Sequence, residues 1–239
     1  SASLDANNEK IALVPSPMET QKVLDTSGIQ TQLATLIPKH DFETADESGS
    51  IDRAAVRTGV VLADLLLTTK TAKDEELVAR LELVSKGMQQ LGGGADIEAT
   101  LQDFRDRIKS GAVNRDDLLK EFDELSGAVI PELEFNGQDR VVPLIEAGSW
   151  LEGANLVSKA LSSSENKSAA DKLLKAPSVV DYFAKYVKTE GSTKAPEAVT
   201  KKLEEALVTL KTISTKPEPL VAADLETIGK VTDDVLGLL

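Results

Sequence analysis

The sequence contains no cysteine and a single histidine, His40, so the side chains that most often build metal centres are nearly absent. A lone histidine without a second nitrogen or sulfur ligand does not form a typical zinc or copper site. Neither Gly-x-Ser-x-Gly nor a phosphate-binding loop ending in Gly-Lys-Ser/Thr occurs, which removes two common catalytic signatures. We therefore predict no metal and no cofactor, and we identify no catalytic residue.

Aromatic residues make up only 3% of the chain, and long apolar runs are missing. A core with so few rings must be built from Leu, Val, Ile and Ala, which suits helices that pack with close backbone approach. The run Val60–Leu67 is interrupted by Asp64 and is far shorter than the roughly 20 residues of a membrane-spanning helix. An integral membrane span is therefore not expected.

Positive charge is scarce, and the net charge is −13. Residues 1–140 carry 15 Lys and Arg against 26 Asp and Glu, and residues 141–239 carry 12 Lys and no Arg against 14 Asp and Glu. An acidic surface repels phosphate backbones, and the second part lacks the guanidinium groups that grip phosphate. Nucleic acid is therefore not an expected partner, and no basic amphipathic stretch predicts membrane-surface binding.

What the chain does contain is apolar residues at helical spacing, punctuated by glycine and proline. The pattern predicts an all-α protein, an irregular multi-helix bundle of about nine to ten helices, and its first helix begins at the capping box Ser16-Pro17-Met18-Glu19. Ile11–Val14 alone has strand character, and it is too short to predict a sheet. The later helices are expected at Ile29–Ile37, Ile51–Thr69, Asp74–Leu91, Asp96–Lys109, Arg115–Ser126, Asp139–Leu161, Lys167–Lys175, Val179–Lys188, Pro196–Ile213 and Leu220–Leu236.

Two segments, Ala54–Leu67 and Val141–Leu161, are apolar on nearly every side, and each carries a glycine near its middle, Gly59 or Gly148. We interpret them as the buried central helices of two pseudo-repeated halves. A glycine inside a helix costs about 0.5–1 kcal/mol relative to alanine. Close packing of the two helices against each other would offset that cost, and the alternative is a ligand lying against the bare backbone.

The predicted organisation is a flexible lead-in at residues 1–15, a first helical half at 16–130 and a second at 139–239. The break between the halves is expected at Pro131–Gln138, where Asn136-Gly137 predicts a tight turn. A single domain spanning 16–239 is the alternative.

Three side chains are candidates for a ligand-binding site: Asp64, Trp150 and Glu152. A carboxylate in an apolar segment must reach water, find a partner or shift its pKa upward. For Asp64 the simpler interpretation is a narrow solvent-facing strip. Trp150 is the only tryptophan, and it either lines a pocket or interface or simply fills the core.

These observations predict a non-catalytic helical interaction or scaffold protein with a protein partner. The polar stretch Ser1–Lys10 resembles the tether that follows a removed signal or lipid-anchor sequence, so a bacterial periplasmic or envelope location is expected, with a cytoplasmic one as the alternative. Two other functions stay open. One is small-ligand binding in a cleft between the central helices, and the other is carboxylate-dependent hydrolysis, which needs two carboxyl groups roughly 5–10 Å apart.

Overall fold

The computed structural model describes residues 16–29, 51–138, 141–186, 188 and 197–236. Every regular element within those ranges is helical, and ten helices are defined there, which confirms the predicted all-α fold. The predicted lead-in, the strand-like stretch at 11–14, most of the helix expected at Ile29–Ile37 and the loop that follows it lie outside the described residues.

The helices follow one another with short connections. In chain order they are α1 (Pro17–Thr26), α2 (Ile51–Thr68), α3 (Asp74–Gln90), α4 (Ala95–Lys109), α5 (Arg115–Phe135), α6 (Val142–Ser162), α7 (Ala170–Leu174), α8 (Pro177–Tyr186), α9 (Glu197–Ser214) and α10 (Ala222–Leu236). None of the helices in the described part of the chain combines the length and the apolar character that crossing a bilayer requires.

Helix α1 begins as its sequence predicts. The Ser16 hydroxyl accepts a hydrogen bond from the Glu19 N–H at 3.2 Å, and the Glu19 carboxylate accepts one from the Ser16 N–H at 2.9 Å. Pro17 occupies the first helical position, where no donor is needed. The helix therefore starts on a complete capping box.

Helices α3 and α4 bury the apolar stripes that their sequences contain. The buried side chains are Leu77, Leu81, Val84 and Met88 on α3, and Ile97, Leu101, Phe104 and Ile108 on α4. The Phe104 ring meets the Phe122 ring of α5 edge to face, with 4.9 Å between centroids. This geometry places a positive ring edge against a negative ring face and so adds to the gain from burial.

Helix α5 is longer than predicted. We expected it to stop at Ser126, before a break at Pro131–Gln138, but it continues to Phe135 with the proline inside it. Its apolar stripe also continues, through Val129 and Leu133, which are 1% and 0% exposed. Burying two such side chains offsets the roughly 3 kcal/mol that an interior proline costs, so packing overrides the local signal.

Contacts within the chain group the described residues into two compact units. Unit A contains α2 to α5 and α6 as far as Trp150; in it α2 packs against α3 and α5, and α3 packs against α4. The Arg115 guanidinium donates to the carbonyls of Thr69 and Ala72 at 3.0 Å each. It thereby supplies donors to two carbonyls of the turn that connects α2 to α3.

Unit B contains α1, α6 from Leu151 onward, and α7 to α10, with α9 packed against both α8 and α10. The connection between α9 and α10 is held from α7. There the Lys175 ammonium donates to the Glu218 carbonyl at 2.8 Å, and Asp171 accepts from the Leu220 N–H at 2.8 Å. The predicted division into halves at Pro131–Gln138 and its one-domain alternative both stay predictions.

Candidate functional site

The two central helices meet at their glycines. A Cβ atom at Gly59 would lie 1.9 Å from the Ile145 carbonyl oxygen, and one at Gly148 would lie 1.9 Å from the Val56 carbonyl oxygen. No side chain fits at either position, so the backbones of α2 and α6 touch directly. This confirms the interpretation that close helix packing, and not a bound ligand, accounts for the two glycines.

The contact between these helices is reciprocal. Gly59 faces Ile145 and Ser149, while Gly148 faces Val56 and Val60. Positions 56 and 145, 59 and 148, and 60 and 149 are each separated by 89 residues, so equivalent atoms meet across a local twofold relation. The crossing therefore has the symmetry that an internal duplication would produce, and the duplication itself stays a prediction.

Asp64 lies on α2, five residues beyond Gly59, and is only 4% exposed. The solvent-facing strip that we expected there is wrong, because nearly the whole of α2 between Ala55 and Thr69 is buried. Thr68, at the end of this helix, is also buried, at 0% exposure, and its hydroxyl donates to the Asp64 carbonyl at 2.5 Å. Asp64 is also engaged in a polar or electrostatic interaction of its own. A carboxylate in this position belongs to the interior of the protein.

Trp150 lies on α6, two residues beyond Gly148, and is 8% exposed. Its burial agrees with the interpretation of a large core side chain. The indole N–H has no hydrogen-bond acceptor among the described residues. A buried polar group left unsatisfied costs about 1–3 kcal/mol, so this donor is unusual for a protein interior.

Glu152 lies on α6 in unit B and is fully buried, at 0% exposure. Asn155, about one turn later, is equally buried, and its side-chain amide donates to the Gly229 carbonyl at 3.2 Å, the Thr232 hydroxyl at 2.9 Å and the Asp233 carboxylate at 3.0 Å. All three acceptors belong to α10. These three hydrogen bonds form a buried polar joint that fixes α10 against α6, about one turn after Glu152.

The three predicted site residues are divided between the units. Asp64 and Trp150 belong to unit A, and Glu152 belongs to unit B. Trp150 and Glu152 are two positions apart on one helix, which separates their side chains by about 200° around its axis. They point to different sides of α6, and a cleft lined by all three residues stays a prediction.

Glu146 was not among the predicted site residues, yet its surroundings favour its neutral form. Burial raises its pKa above the ordinary value, and repulsion from Glu134 of α5 raises the pKa further. A carboxyl group whose pKa is raised in this way is better suited to donate a proton than an ordinary glutamate, and this alone does not identify catalysis. The sequence offered one signal for this residue, since Glu146 precedes the predicted site residue Trp150 by about one helical turn.

A surface cleft of about 320 Å³ lies between the end of α4 and the start of α5. Its lining residues are Arg107, Ala112, Val113, Asn114, Asp117, Lys120, Glu121 and Glu124. The Arg107 guanidinium donates to both Glu121 carboxylate oxygens, and this hydrogen bonding holds the pKa of Glu121 below its ordinary value. Because the Glu121 carboxylate already neutralises the Arg107 guanidinium, the cleft is poorly suited to bind an anion.

Phe135 is the second residue that sequence reasoning missed. Its side chain is 91% exposed at the end of α5, among the most exposed of any large apolar residue in the described ranges. The sequence suggested a break around it, so its helical neighbours Ala128 and Pro131 could not be recognised as sharing its face. That relation becomes visible only once α5 is known to run through the proline.

Within the described ranges no group of three or more His, Cys, Asp or Glu side chains is placed to hold a metal ion. His40 and the acidic stretch that follows it lie outside those ranges. No protein-family model, no curated protein and no solved structure matches this chain. The function therefore has to be argued from the arrangement of its own residues.

Proposed function

We propose that this protein is a non-catalytic helical scaffold or interaction protein of a bacterial cell envelope, and that it binds a protein partner. The observation that carries the proposal is the direct backbone contact at Gly59 and Gly148. Helical proteins that bind small ligands usually keep a cavity between facing helices. Here the crossing of the two most apolar helices is filled by the protein itself, which favours a function exercised at the surface.

Features of the described surface support the same proposal. The large apolar side chains that remain exposed are Ile51, Phe135, Val208 and Val221. Aromatic side chains are enriched among the anchors of protein interfaces, and Phe135 offers nearly its whole ring. The −13 net charge adds an electrostatic preference for partners with basic surfaces.

The envelope location, periplasmic or lipid-anchored, is part of this proposal and rests on the sequence expectation alone. Fractionation of the source cells with an antibody against the chain is its test. Detection in the periplasmic or membrane fraction supports the location. Recovery with cytoplasmic markers only would remove the location and leave the interaction proposal to be judged separately.

The interaction itself is tested by affinity capture of the tagged full chain from envelope and soluble fractions, read by quantitative mass spectrometry. We expect one protein partner that is enriched over a tag-only control and whose amount falls when untagged chain is added as competitor. An empty capture from both fractions contradicts the proposal. Turnover of a small substrate by the homogeneous protein in an activity screen would contradict its non-catalytic part.

A second candidate function, binding of a small ligand, is favoured by one specific observation. The Trp150 indole N–H is buried and lacks an acceptor among the described residues, which a hydrogen-bonding ligand would supply. The expected sign is a shift in Trp150 fluorescence with one member of a metabolite library, and its loss in Asp64→Asn. Emission that no compound changes would exclude this candidate.

A further inference from the structure

We propose that the outer side of α5 is a docking surface for a segment of a partner protein that is apolar on one side and carries Lys or Arg along its edges. This inference rests on the proposed interaction function and specifies the chemistry of the partner. The α5 outer face, as we call it, consists of Glu124, Gly127, Ala128, Pro131, Glu134 and Phe135, all of which are exposed.

The α5 outer face is a continuous stripe along the helix. Positions 124, 128, 131 and 135 recur at intervals of three and four residues, which places them on one side of the helix. At 1.5 Å per residue the stripe is about 16 Å long. The opposite side of the same turns buries Leu125, Val129 and Leu133. The second half of α5 is therefore apolar on two sides, and the described part of the protein covers only one of them.

Two residues of this face, Gly127 and Pro131, lower the stability of the helix, and both are exposed. Among the described residues no atom lies within 4 Å of the position that a Cβ at Gly127 would occupy, in contrast to Gly59 and Gly148. Pro131 has no N–H to donate to the Gly127 carbonyl and is itself exposed. A shallow, apolar helix surface that is left open by the residues of known placement is well shaped to receive a segment of another chain.

Phe135 is held on a well-formed helix end. The Gln138 N–H donates to the Leu133 carbonyl at 2.8 Å and the Gly137 N–H to the Glu134 carbonyl at 3.0 Å, with Gly137 at a φ of 74°. These two hydrogen bonds close a Schellman motif. The backbone beneath the exposed ring is thus already ordered, which reduces the entropy that binding would cost.

The charges around the α5 outer face determine which charges a bound partner segment must carry. Between positions 121 and 138 the chain has five carboxylates and no Lys or Arg. Of these, Glu121 is paired with Arg107, whereas Glu124 and Glu134 border the apolar stripe as exposed residues. Complementary potentials across an interface therefore require Lys or Arg at the edges of the bound segment. A second copy of this chain, with its own −13 charge, and an anionic bilayer are both disfavoured.

The test uses the full chain and a fluorescein-labelled amphipathic peptide of about 14 residues, with Leu at every third or fourth position and Lys elsewhere. A second peptide with Glu in place of Lys is the charge control. Fluorescence anisotropy is expected to show saturable binding of the Lys peptide alone. Phe135→Ser, which changes no charge, should weaken this binding by about tenfold or more.

Val208→Ser is the matched protein control, because Val208 is 68% exposed and lies on α9 in unit B. It should change the affinity by less than about twofold, within the usual range of a residue outside the interface. Equal affinities of the unchanged chain and Phe135→Ser, or no binding of the Lys peptide, would overturn the inference. So would a dimer, seen by light scattering, that Phe135→Ser dissociates.

The inference and the proposed function fail in different ways. If Phe135→Ser captures the envelope partner as well as the unchanged chain does, the partner binds elsewhere, so the docking surface is wrong and the interaction function stands. If the Lys peptide binds as expected but capture from the envelope and soluble fractions is empty, the docking surface stands and the proposed function fails its own test.

Discussion

Glycine residues inside the helices of this protein have opposite consequences, and the surroundings of each backbone position decide which. Gly59 and Gly148 lie where a neighbouring backbone leaves no space for a Cβ, whereas a Cβ at Gly127 would meet no atom of the residues that the structure describes. The helix-propensity penalty of glycine is similar at all three sites. The three sites differ in their tertiary contacts. The contact with a neighbouring backbone is therefore what makes glycine necessary at Gly59 and Gly148.

Substitution of Gly59 by alanine is therefore expected to destabilise the fold despite the better helix propensity of alanine. The new Cβ would overlap the Ile145 carbonyl, and overpacking against a backbone that cannot rotate away costs about 3 kcal/mol. Gly148→Ala should behave alike. The free energy of unfolding, measured by urea titration with far-UV circular dichroism, checks both variants.

Gly127→Ala is the control for these two substitutions. It should raise the free energy of unfolding by about 0.5–1 kcal/mol, because alanine is the better helix former and its Cβ would clash with no described atom. If all three alanine variants shift the free energy of unfolding in the same direction, the backbone contact between α2 and α6 is not the reason that glycine is required at positions 59 and 148.

The carboxyl group of Glu146 is expected to make the stability of the folded protein depend on pH. Its pKa is raised in the folded protein, so the ionised group costs stability at neutral pH, and the cost vanishes below the ordinary pKa of 4.5, where it is protonated in both states. Glu146→Gln should therefore unfold at higher urea than the unchanged chain near pH 7. The advantage should shrink as the pH falls toward 4.

The comparison is made by urea titration at several pH values, with Glu82→Gln, an exposed position on α3, as the reference substitution. Glu134→Gln tests the second cause, since removing the repulsion should lower the Glu146 pKa and recover part of the same stability. An advantage of Glu146→Gln that is independent of pH would show that ionisation is not its origin.

At the scale of helices, buried polar contacts decide which surfaces pair. Helix α10 is joined to α6 by the amide of Asn155, and the Lys159 ammonium adds an ion pair to Asp233 at 2.6 Å, nearer the surface. A Cβ at Gly229 would meet the Ser158 hydroxyl at 3.4 Å, an ordinary contact distance, so α10 lies against α6 there. Because a shift of α10 by one residue would leave the Asn155 donors unmet, the joint specifies the position of the helix.

Asn155→Asp is expected to break this joint at almost constant side-chain volume. A carboxylate would replace the donor that now faces the Gly229 carbonyl, the Thr232 hydroxyl and the Asp233 carboxylate, so the free energy of unfolding should fall by about 3 kcal/mol at pH 7. The loss should be smaller at pH 4, where the new carboxyl group can bind a proton.

The same chemical change at an exposed helix end, Asn136→Asp, serves as the control and should cost less than about 0.5 kcal/mol. Urea titrations of both variants give the comparison. Equal effects of the two substitutions would mean that the amide of Asn155 does not act as the donor that the geometry indicates.

At the scale of the whole molecule, helix α6 belongs to both compact units, because it runs without interruption from Val142 to Ser162 and the units divide between Trp150 and Leu151. A helix forms cooperatively, and unwinding one half removes hydrogen bonds from the other. The two units therefore share α6, and unfolding of the part of α6 in one unit would destabilise the part in the other.

We accordingly expect one cooperative unfolding transition. Trp150 fluorescence reports on unit A, and far-UV circular dichroism reports on all helices, so the two urea midpoints should coincide within error. Ser149→Pro, which interrupts α6 beside the division, should lower the stability of the whole chain. Separate midpoints in the unchanged protein would show that the shared helix does not couple the units.

Much of the fold was predictable because its signals are local. The capping box at Ser16 and Glu19 and the apolar stripes of α3 and α4 are spaced by the geometry of a helix, which is a property of consecutive residues. The prediction failed at α5, where Pro131 is a strong local stop signal. Packing of Val129 and Leu133, which is not a local property, kept the helix intact.

The candidate site was less predictable for the same reason. Asp64, Trp150 and Glu152 were singled out because each is unusual in its own helix, and all three prove to be buried. Glu146 and Phe135 are ordinary residues in sequence. Their properties come from their surroundings: Glu134 lies near the Glu146 carboxyl group, and the described residues leave the Phe135 ring exposed.

The amino-acid sequence by itself determined the all-helical class, the chain positions of most described helices, the absence of thiol chemistry and the acidic surface. These follow from composition and from periodicities within single helices. Only the tertiary structure decided that Gly59 and Gly148 bring two backbones into contact, that α5 runs through Pro131 and that Phe135 stays outside. Those outcomes depend on which surfaces meet, and hydrophobic burial between distant segments outweighs local preferences of a few kcal/mol.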